Sequence, residues 1–451
     1  MTSSDAFIAA NRFGLGPRPG ELAAIGKDPR GWIGEQISIV NQVPPELRNQ
    51  PSSASLIRGI HEARMQGPEN LKKMARKGFR KTMLTEIVAR TQAQIRSPQP
   101  FRERMVLFWA NHFTVSTTKG LIGPTIGAYE REAIRPHIFG RFEDMLLAAT
   151  HHPTMLSYLD NNISFGPGSR VGKRRGRGLN ENLAREILEL HTLGVNGGYS
   201  QSDVTEFAKI LTGWTHGGTR GKKSIQRLGP VHGNFEFRDI FHEPGPKTLL
   251  GKRYAENGEQ EGVDALKDIA RHPATAKFIA AKLARHFIAD DPPADAVKAL
   301  ETAFRQSGGH LGQVSQKLIE LDAVWNEPLP KVKTPHELVV STLRAVAFDD
   351  IEPRLFFGIF REMGQSPFSA PSPAGWPDQA KDWMSPEALL RRVEWLRALA
   401  ARLPRSLNPD TVAGQTIGPV MSARTEEMIA AAPSGEEALA LLFASPEFQR
   451  R

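Results

Sequence analysis

FRERMVLFWANHF, running from Phe101 to Phe113, sets Met105, Phe108, Trp109 and His112 at three- and four-residue spacing. At about 100° per residue these side chains share one side of a helix, the pattern of a helix pressed against a core. The same period recurs at Tyr129 to Ala149, Leu179 to Leu193, Asp203 to Leu211, Gly262 to Ile269, Ala274 to Ile288, Ala294 to Gln306, His336 to Ala347, Pro386 to Leu403 and Glu436 to Phe443. Cap chemistry supports several of these ends, for example Gly194 after Leu193 and Ser200 three residues before Asp203. Strand alternation is rare. Its best case, NFEFRDI from Asn234 to Ile240, followed by HEPGPK and TLLGKRY, reads as one β-hairpin within residues 234–254, turning at Pro244 and Gly245. Residues 166–178 and 213–233, rich in glycine and basic side chains, read as long exposed loops, and PFSAPSPAGWP from Pro367 to Pro377 as irregular chain around Trp376. No repeat of fixed period occurs. The expected fold is mainly α: one large multi-helix unit over residues 1–451 with a small β-hairpin and long basic glycine-rich loops.

Of the 451 residues, 40% are hydrophobic and 24% charged, enough apolar side chain for a sizeable core. The formal net charge of +9 favours anionic partners. Much of the excess is lumped at Arg170, Lys173, Arg174, Arg175 and Arg177, at LKKMARKGFRK, and at Arg220, Lys222 and Lys223. The absence of cysteine excludes disulfides, thiolate metal sites and cysteine nucleophiles. MTSSDAFIAANRFGLGPRPGE shows neither a charged segment followed by an apolar one nor a twin-arginine pair, and no stretch reaches the about 18 apolar residues of a membrane span. By that missing signal the expected compartment is the cytoplasm.

NRFGLGPRPGE, FWANHF, HPTMLSYLDN, NENLAREILELHTLG with YSQSDV and LTGW, FHEPGPKTLLG, HPATAKFIAAKLARHF, GWPDQAKDWMSPEALLRR and LLFASPEFQRR follow one another in this order. Together they resemble, over nearly the whole chain, the bacterial family catalogued as domain of unknown function 1800. The resemblance implies a mainly helical protein and supplies no established reaction. Many members look exported, often by the twin-arginine route, and tend to be encoded beside a second exported, sulfatase-like family. A periplasmic location is therefore implied by the resemblance, against the missing signal.

Chemistry is concentrated in NENLAREILELH. Leu183, Ala184, Ile187, Leu188 and Leu190 gather on one helix face with His191, and Asn182, Arg185, Glu186 and Glu189 fill the other. Glu186 and Glu189, three residues apart, are the candidate acid and base, with Asn182 and Arg185 as substrate-binding neighbours. The plainer reading is a solvated face held by an Arg185–Glu189 pair. His112 and Asp160 are further catalytic candidates, and a buried, hydrogen-bonded histidine and a capping aspartate are their structural counterparts. Asn111, His242, Lys247, Arg174 and Arg175 complete the binding set, the rigid PGP turn holding His242 and Lys247 at fixed separation to grip an anion. His151, His152 and His272 read more simply as core or capping histidines. No cofactor is implied and no metal motif occurs: HExxH and the Glu-x-x-His pair of di-iron bundles are both missing. GxSxG, P-loop, dinucleotide-binding and nucleic-acid-binding signatures are missing as well.

Two functions fit. One is an enzyme, a hydrolase or lyase, cleaving an acidic or neutral polysaccharide with the two glutamates. The other is a non-catalytic binding or assembly protein holding a polyanion, a membrane surface or a protein partner. The catalytic reading expects Glu186, Glu189, His112, Asp160 and His242 to converge in one pocket.

Overall fold

The computed structural model describes residues 3–39, 43–175, 178–217, 231–348 and 353–451. The protein is mainly helical, and among the described residues its core divides into two large apolar clusters and a small third one of Leu47, Ala89 and Ala93. The larger of the first two gathers Phe13, Phe101, Trp109, Phe142, Leu188, Ile210, Ile279 and Phe287. The smaller gathers Leu338, Leu343, Phe360, Leu396, Leu439 and Phe443. Ser4–Ile8 and the π-turn Ala9–Phe13 join them, Phe7 packing into the smaller cluster and Ala6, Ile8 and Phe13 into the larger. A segment buried on every side suits an apolar sequence such as AFIAA.

Proline and small polar caps set many helix starts. Pro100–His112, Pro153–Tyr158, Pro273–Phe287, Pro335–Ala345 and Pro386–Ala400 all carry proline in the first turn, where its missing N–H leaves no bond unmade. His152 and His272 cap the second and third of these, each Nδ1 accepting a backbone amide at 3.2 Å, from Thr154 and Ala274. The helix expected over Tyr129 to Ala149 is in fact interrupted. Ile126–Tyr129 passes through a π-turn and a 3-10 turn at Arg135–His137, and Phe142–His151 starts afresh. Pro136 can neither donate to the helical ladder nor tolerate the carbonyl four residues back, so the break falls there.

Strand content also departs from the single expected hairpin. β1 (Trp214–His216) pairs antiparallel with β2 (Phe235–Phe237), and β3 (Lys247–Leu249) pairs with β4 (Lys252–Tyr254). The NFEF strand reaches back across the intervening basic segment instead of folding onto TLL. Packing explains the choice: Phe235 lies edge-on to Trp214 at 5.5 Å between ring centres. In the expected loop 166–178, Arg170–Arg175 is a short helix, with the Ser169 hydroxyl accepting the Gly172 amide at 3.0 Å. The expected loop 213–233 lies outside the described residues from 218 to 230. Among the described residues no helix is long and apolar enough to cross a membrane.

Several histidines lie deep among aromatic rings, and burial keeps them neutral. His191 and His336 are pushed down to about 3, and His151 and His216 to about 4, burial being the largest cause in each. Unfolded histidine binds its proton near pH 6.5. Because these folded-state values are depressed, their stability is present above about pH 6.5 and is lost as pH falls toward the folded values. Thermal melts taken from pH 7 down to pH 4 should therefore show a progressive loss on the order of several kcal/mol. A melting temperature flat across that interval would contradict the buried neutral state.

Candidate functional site

A cavity of about 510 Å³ lies between the end of Pro100–His112, the end of Pro273–Phe287, the start of Pro335–Ala345 and the chain from Gln365 to Asp382. Asn111 fixes that last segment. Its side-chain amide donates to the Trp376 carbonyl at 2.9 Å and its oxygen accepts the Trp376 amide at 2.7 Å, as a neighbouring strand would. Gly375 makes the approach feasible: φ is +85°, and a Cβ there would meet the Asn111 carbonyl at 2.5 Å. The GWP bend is thus clamped to the ANH helix end, which presents Asp378 to the cavity.

Asp378 accepts from His286 Nδ1 at 2.9 Å and lies 3.6 Å from Lys331 and 3.8 Å from Arg451. Burial opposes its charge, but His286, Lys331 and Arg451 together hold its carboxyl below the usual range. With Nδ1–H directed at the carboxylate, His286 keeps its lone pair on Nε2, which is buried without a hydrogen-bond partner. Burial, partly countered by Asp378, also lowers the His286 pKa, so the ring is a neutral base at pH 7. His112 has a similar arrangement one wall away. Its Nε2 lies 3.0 Å from the His191 carbonyl, which can only accept, so Nδ1 carries the lone pair, again without a partner. Burial, then the charge of Lys282, pushes His112 well below 6.5.

The acids of the inner wall are committed to arginines. Glu130 accepts from Arg90 at 2.8 and 3.1 Å. Glu337 completes a capping box with Thr334 through one oxygen and meets Arg104 and Arg451 through the other, the latter at 3.1 Å. Burial opposes ionisation of Glu337, yet the two guanidiniums hold it well below the carboxylate range. Lys282 and Arg285 differ from these paired groups: both line the cavity without an ion pair or side-chain hydrogen bond among the described residues. Lys282 lies over the Phe278 ring at 5.6 Å, and burial lowers it to about 8, against the pull of Asp378.

The residues singled out by sequence fall in several places. His112 and Asn111 line the cavity. Glu186 and Glu189 are half-buried on Asn182–Glu186 and the following π-turn Ile187–His191, outside the cavity wall. Neither makes a hydrogen bond or ion pair among the described residues, and burial followed by Glu189 raises the Glu186 pKa. The expected Arg185–Glu189 pair is replaced by Arg185–Glu181 at 3.1 Å, with Gln201 as a second partner of Arg185. Asn182 is exposed at the helix start. Asp160, in a left-handed conformation with φ 57°, pairs with Lys119 and starts a 3-10 turn. His242 and Lys247 face an acid of the protein itself. Both are buried with Glu261, Lys247 donating to Glu261 at 3.0 Å and to His242 at 3.1 Å. Arg174 is exposed on its short helix, well separated in sequence from every cavity wall, and of Arg175 the backbone alone is described. The five residues expected to converge therefore do not share one pocket.

His286, Asp378, Lys282, Arg104, Glu337 and Arg451 were not singled out from sequence. KLARHF and GWPD contain the central pair, but 92 residues separate His286 from Asp378. Lys282, Arg285 and His286 at i, i+3 and i+4 were a readable signal, since such residues share a helix face.

A mainly helical chain with a cavity of paired arginines and acids, two neutral imidazoles and two cations unpaired among the described residues defines the class. The chain belongs to the family described as a protein of unknown function (DUF1800), whose model it matches over residues 8–450. Neither a curated protein nor a solved structure matches it.

Proposed function

We propose that the protein is an acid–base enzyme, a hydrolase or lyase, that cleaves a polysaccharide in the 510 Å³ cavity. The observation that carries this reading is His286, a cavity-wall imidazole oriented by Asp378 through Nδ1, whose Nε2 is buried without a hydrogen-bond partner among the described residues, so that the ring or its cover must shift to meet a substrate. A carboxylate behind a histidine fixes its tautomer and stabilises the imidazolium formed when the ring takes a proton. His112 supplies a second neutral imidazole, Trp376 an aromatic surface for a sugar ring, and Asn111 holds the loop that carries Trp376 and Asp378.

A second reading keeps Glu186 and Glu189 as acid and base. It is favoured by the raised pKa of Glu186 and by the lack of a hydrogen-bond or ion-pair partner for either glutamate among the described residues. The segment Asn111 to Lys119 links the two places, with Asn111, His112, Thr114 and Val115 in the cavity wall and Thr118 bonded to Tyr158, whose hydroxyl feels the charge of Glu186.

Incubating the full chain with acidic and neutral glycans, beside Glu186→Gln and His286→Gln, separates the readings. Glu186→Gln should leave the melting temperature unchanged or slightly higher, because a carboxylate with a raised folded pKa is more stable neutral. If it keeps full cleavage while His286→Gln loses it, the cavity is the site. Loss in Glu186→Gln alone would move the chemistry to the glutamates. Glycan binding without cleavage, unchanged in both variants, would favour the non-catalytic binding protein.

A further inference from the structure

We infer that the cavity takes a uronate-containing glycan, with Lys282 and Arg285 holding the sugar carboxylate and His286 removing the proton beside it, so that the chain is cut by β-elimination. This deepens the acid–base reading above and rests on it. The three side chains project from one face of Pro273–Phe287 at i, i+3 and i+4, so base and cations are neighbours by helix geometry, and all three line the cavity. The two cations are unpaired among the described residues, in a wall where Arg90 and Arg104 each contact a protein carboxylate. An unpaired cation at the edge of a charge-balanced cavity is complementary to an anion from outside.

Three of the four carboxylates that line the cavity argue against glycoside hydrolysis there, the fourth being the exposed Asp382. Such hydrolysis uses a carboxylic acid that protonates the departing oxygen, hence one with a raised pKa. Glu130 is ion-paired with Arg90, Glu337 with Arg104 and Arg451, and Asp378 with His286 and Lys331, and the last two are held low. Elimination needs none of them as an acid. The sugar carboxylate, neutralised by Lys282, acidifies the hydrogen on the adjacent ring carbon C5. His286 Nε2 accepts that proton, the C5–H electron pair becomes the C4=C5 double bond, and the C4–O bond breaks. Its electrons leave on the oxygen, which takes a proton back from the imidazolium or from water. The products are one unsaturated uronide and one free hydroxyl, with no oxidation overall.

The full-length chain is incubated with polygalacturonate, alginate and hyaluronan, with their carboxyl-reduced forms, and with neutral xylan and amylose. Ultraviolet absorbance of the conjugated uronide is followed beside new reducing ends. The expected result is absorbance from at least one uronate polymer and none from its reduced form, falling roughly 100-fold or more in His286→Gln. Lys282→Met should lose kcat/KM on the uronate polymer and Lys282→Arg should recover much of it. A circular dichroism melt of each variant distinguishes lost chemistry from lost fold. New reducing ends without absorbance overturn elimination and leave the acid–base enzyme standing. No cleavage of any of these glycans removes the inference together with the reading beneath it.

Discussion

Glu337→Gln is expected to destabilise the protein by about 3–5 kcal/mol, the cost of removing one partner from a buried ion pair. Arg104 and Arg451 are both essentially inaccessible, and the Glu337 carboxylate is the charge that faces each of them. Their other close partners are neutral carbonyls: Gly14 and Asn11 for Arg104 at 2.6 and 3.0 Å, and His286 for Arg451 at 2.9 Å. Asp378 is 3.8 Å from Arg451 and already serves His286 and Lys331. Glutamine would preserve shape and much of the cap on Pro335–Ala345 while leaving two guanidiniums in a low dielectric with too little negative charge. Urea denaturation reads the loss directly. Arg104→Met combined with Glu337→Gln should be less unstable than the sum of the single changes, because one stranded cation is then gone. Additive losses would mean that the pair does not act as a unit.

The second large effect is on activity. His286→Gln should lower kcat/KM on the cleaved glycan by roughly 10²–10⁴-fold, the range attributed to a positioned base. Glutamine can still donate to Asp378, so the cavity wall should keep its shape and the melting temperature should move little. The pH profile gives a sharper reading. His286 must be neutral to accept a proton, and burial, with Arg451 and Arg104 nearby and Asp378 opposing, lowers its pKa below 6.5. Lys282 must stay protonated to hold an anion, and burial and Arg285, against Asp378, bring it to about 8. Activity should therefore rise as pH climbs through the lowered His286 value and fall as it passes about 8. Lys282→Arg should remove the falling limb, since arginine stays charged throughout the working range. A profile with the alkaline limb intact in that variant would assign the limb to another group.

Periodicity alone established the helical class and most of the long helices, because an apolar stripe at 3.6-residue spacing has to be buried wherever the chain goes. Ala294–Gln306 starts and ends as its pattern dictates, and Ser200 caps Gln201–Ile210 through a capping box with Asp203. The capping roles of His152 and His272 were equally local, each followed by proline at the first helical position. Local signals also marked NENLAREILELH as a polar face bearing two glutamates. What they could not fix was which partner each charged residue would find. Arg185 turned to Glu181 and Gln201, one turn back and one helix over, and Lys247 turned inward to Glu261 across 14 residues.

Tertiary structure decided the rest. The basic excess suggested surface clusters, yet Arg12, Arg104, Arg344, Arg392 and Arg451 are fully buried. Arg344 alone binds the carbonyls of Gly16, Gln94, Ile95 and Ser97 and the carboxylate of Glu21. A guanidinium can be interior where the fold supplies many acceptors, and acceptors drawn from segments more than 200 residues away leave no mark in the local pattern. The cavity follows the same rule. Helical spacing brings Lys282, Arg285 and His286 to one face, but Asp378 reaches His286 because Asn111 clamps Trp376, and Asn111, His286 and Asp378 come from three distant stretches of chain. Sequence periodicity is a property of neighbours along the helix, and the pairing of a base with its orienting carboxylate is a property of where separate helices end.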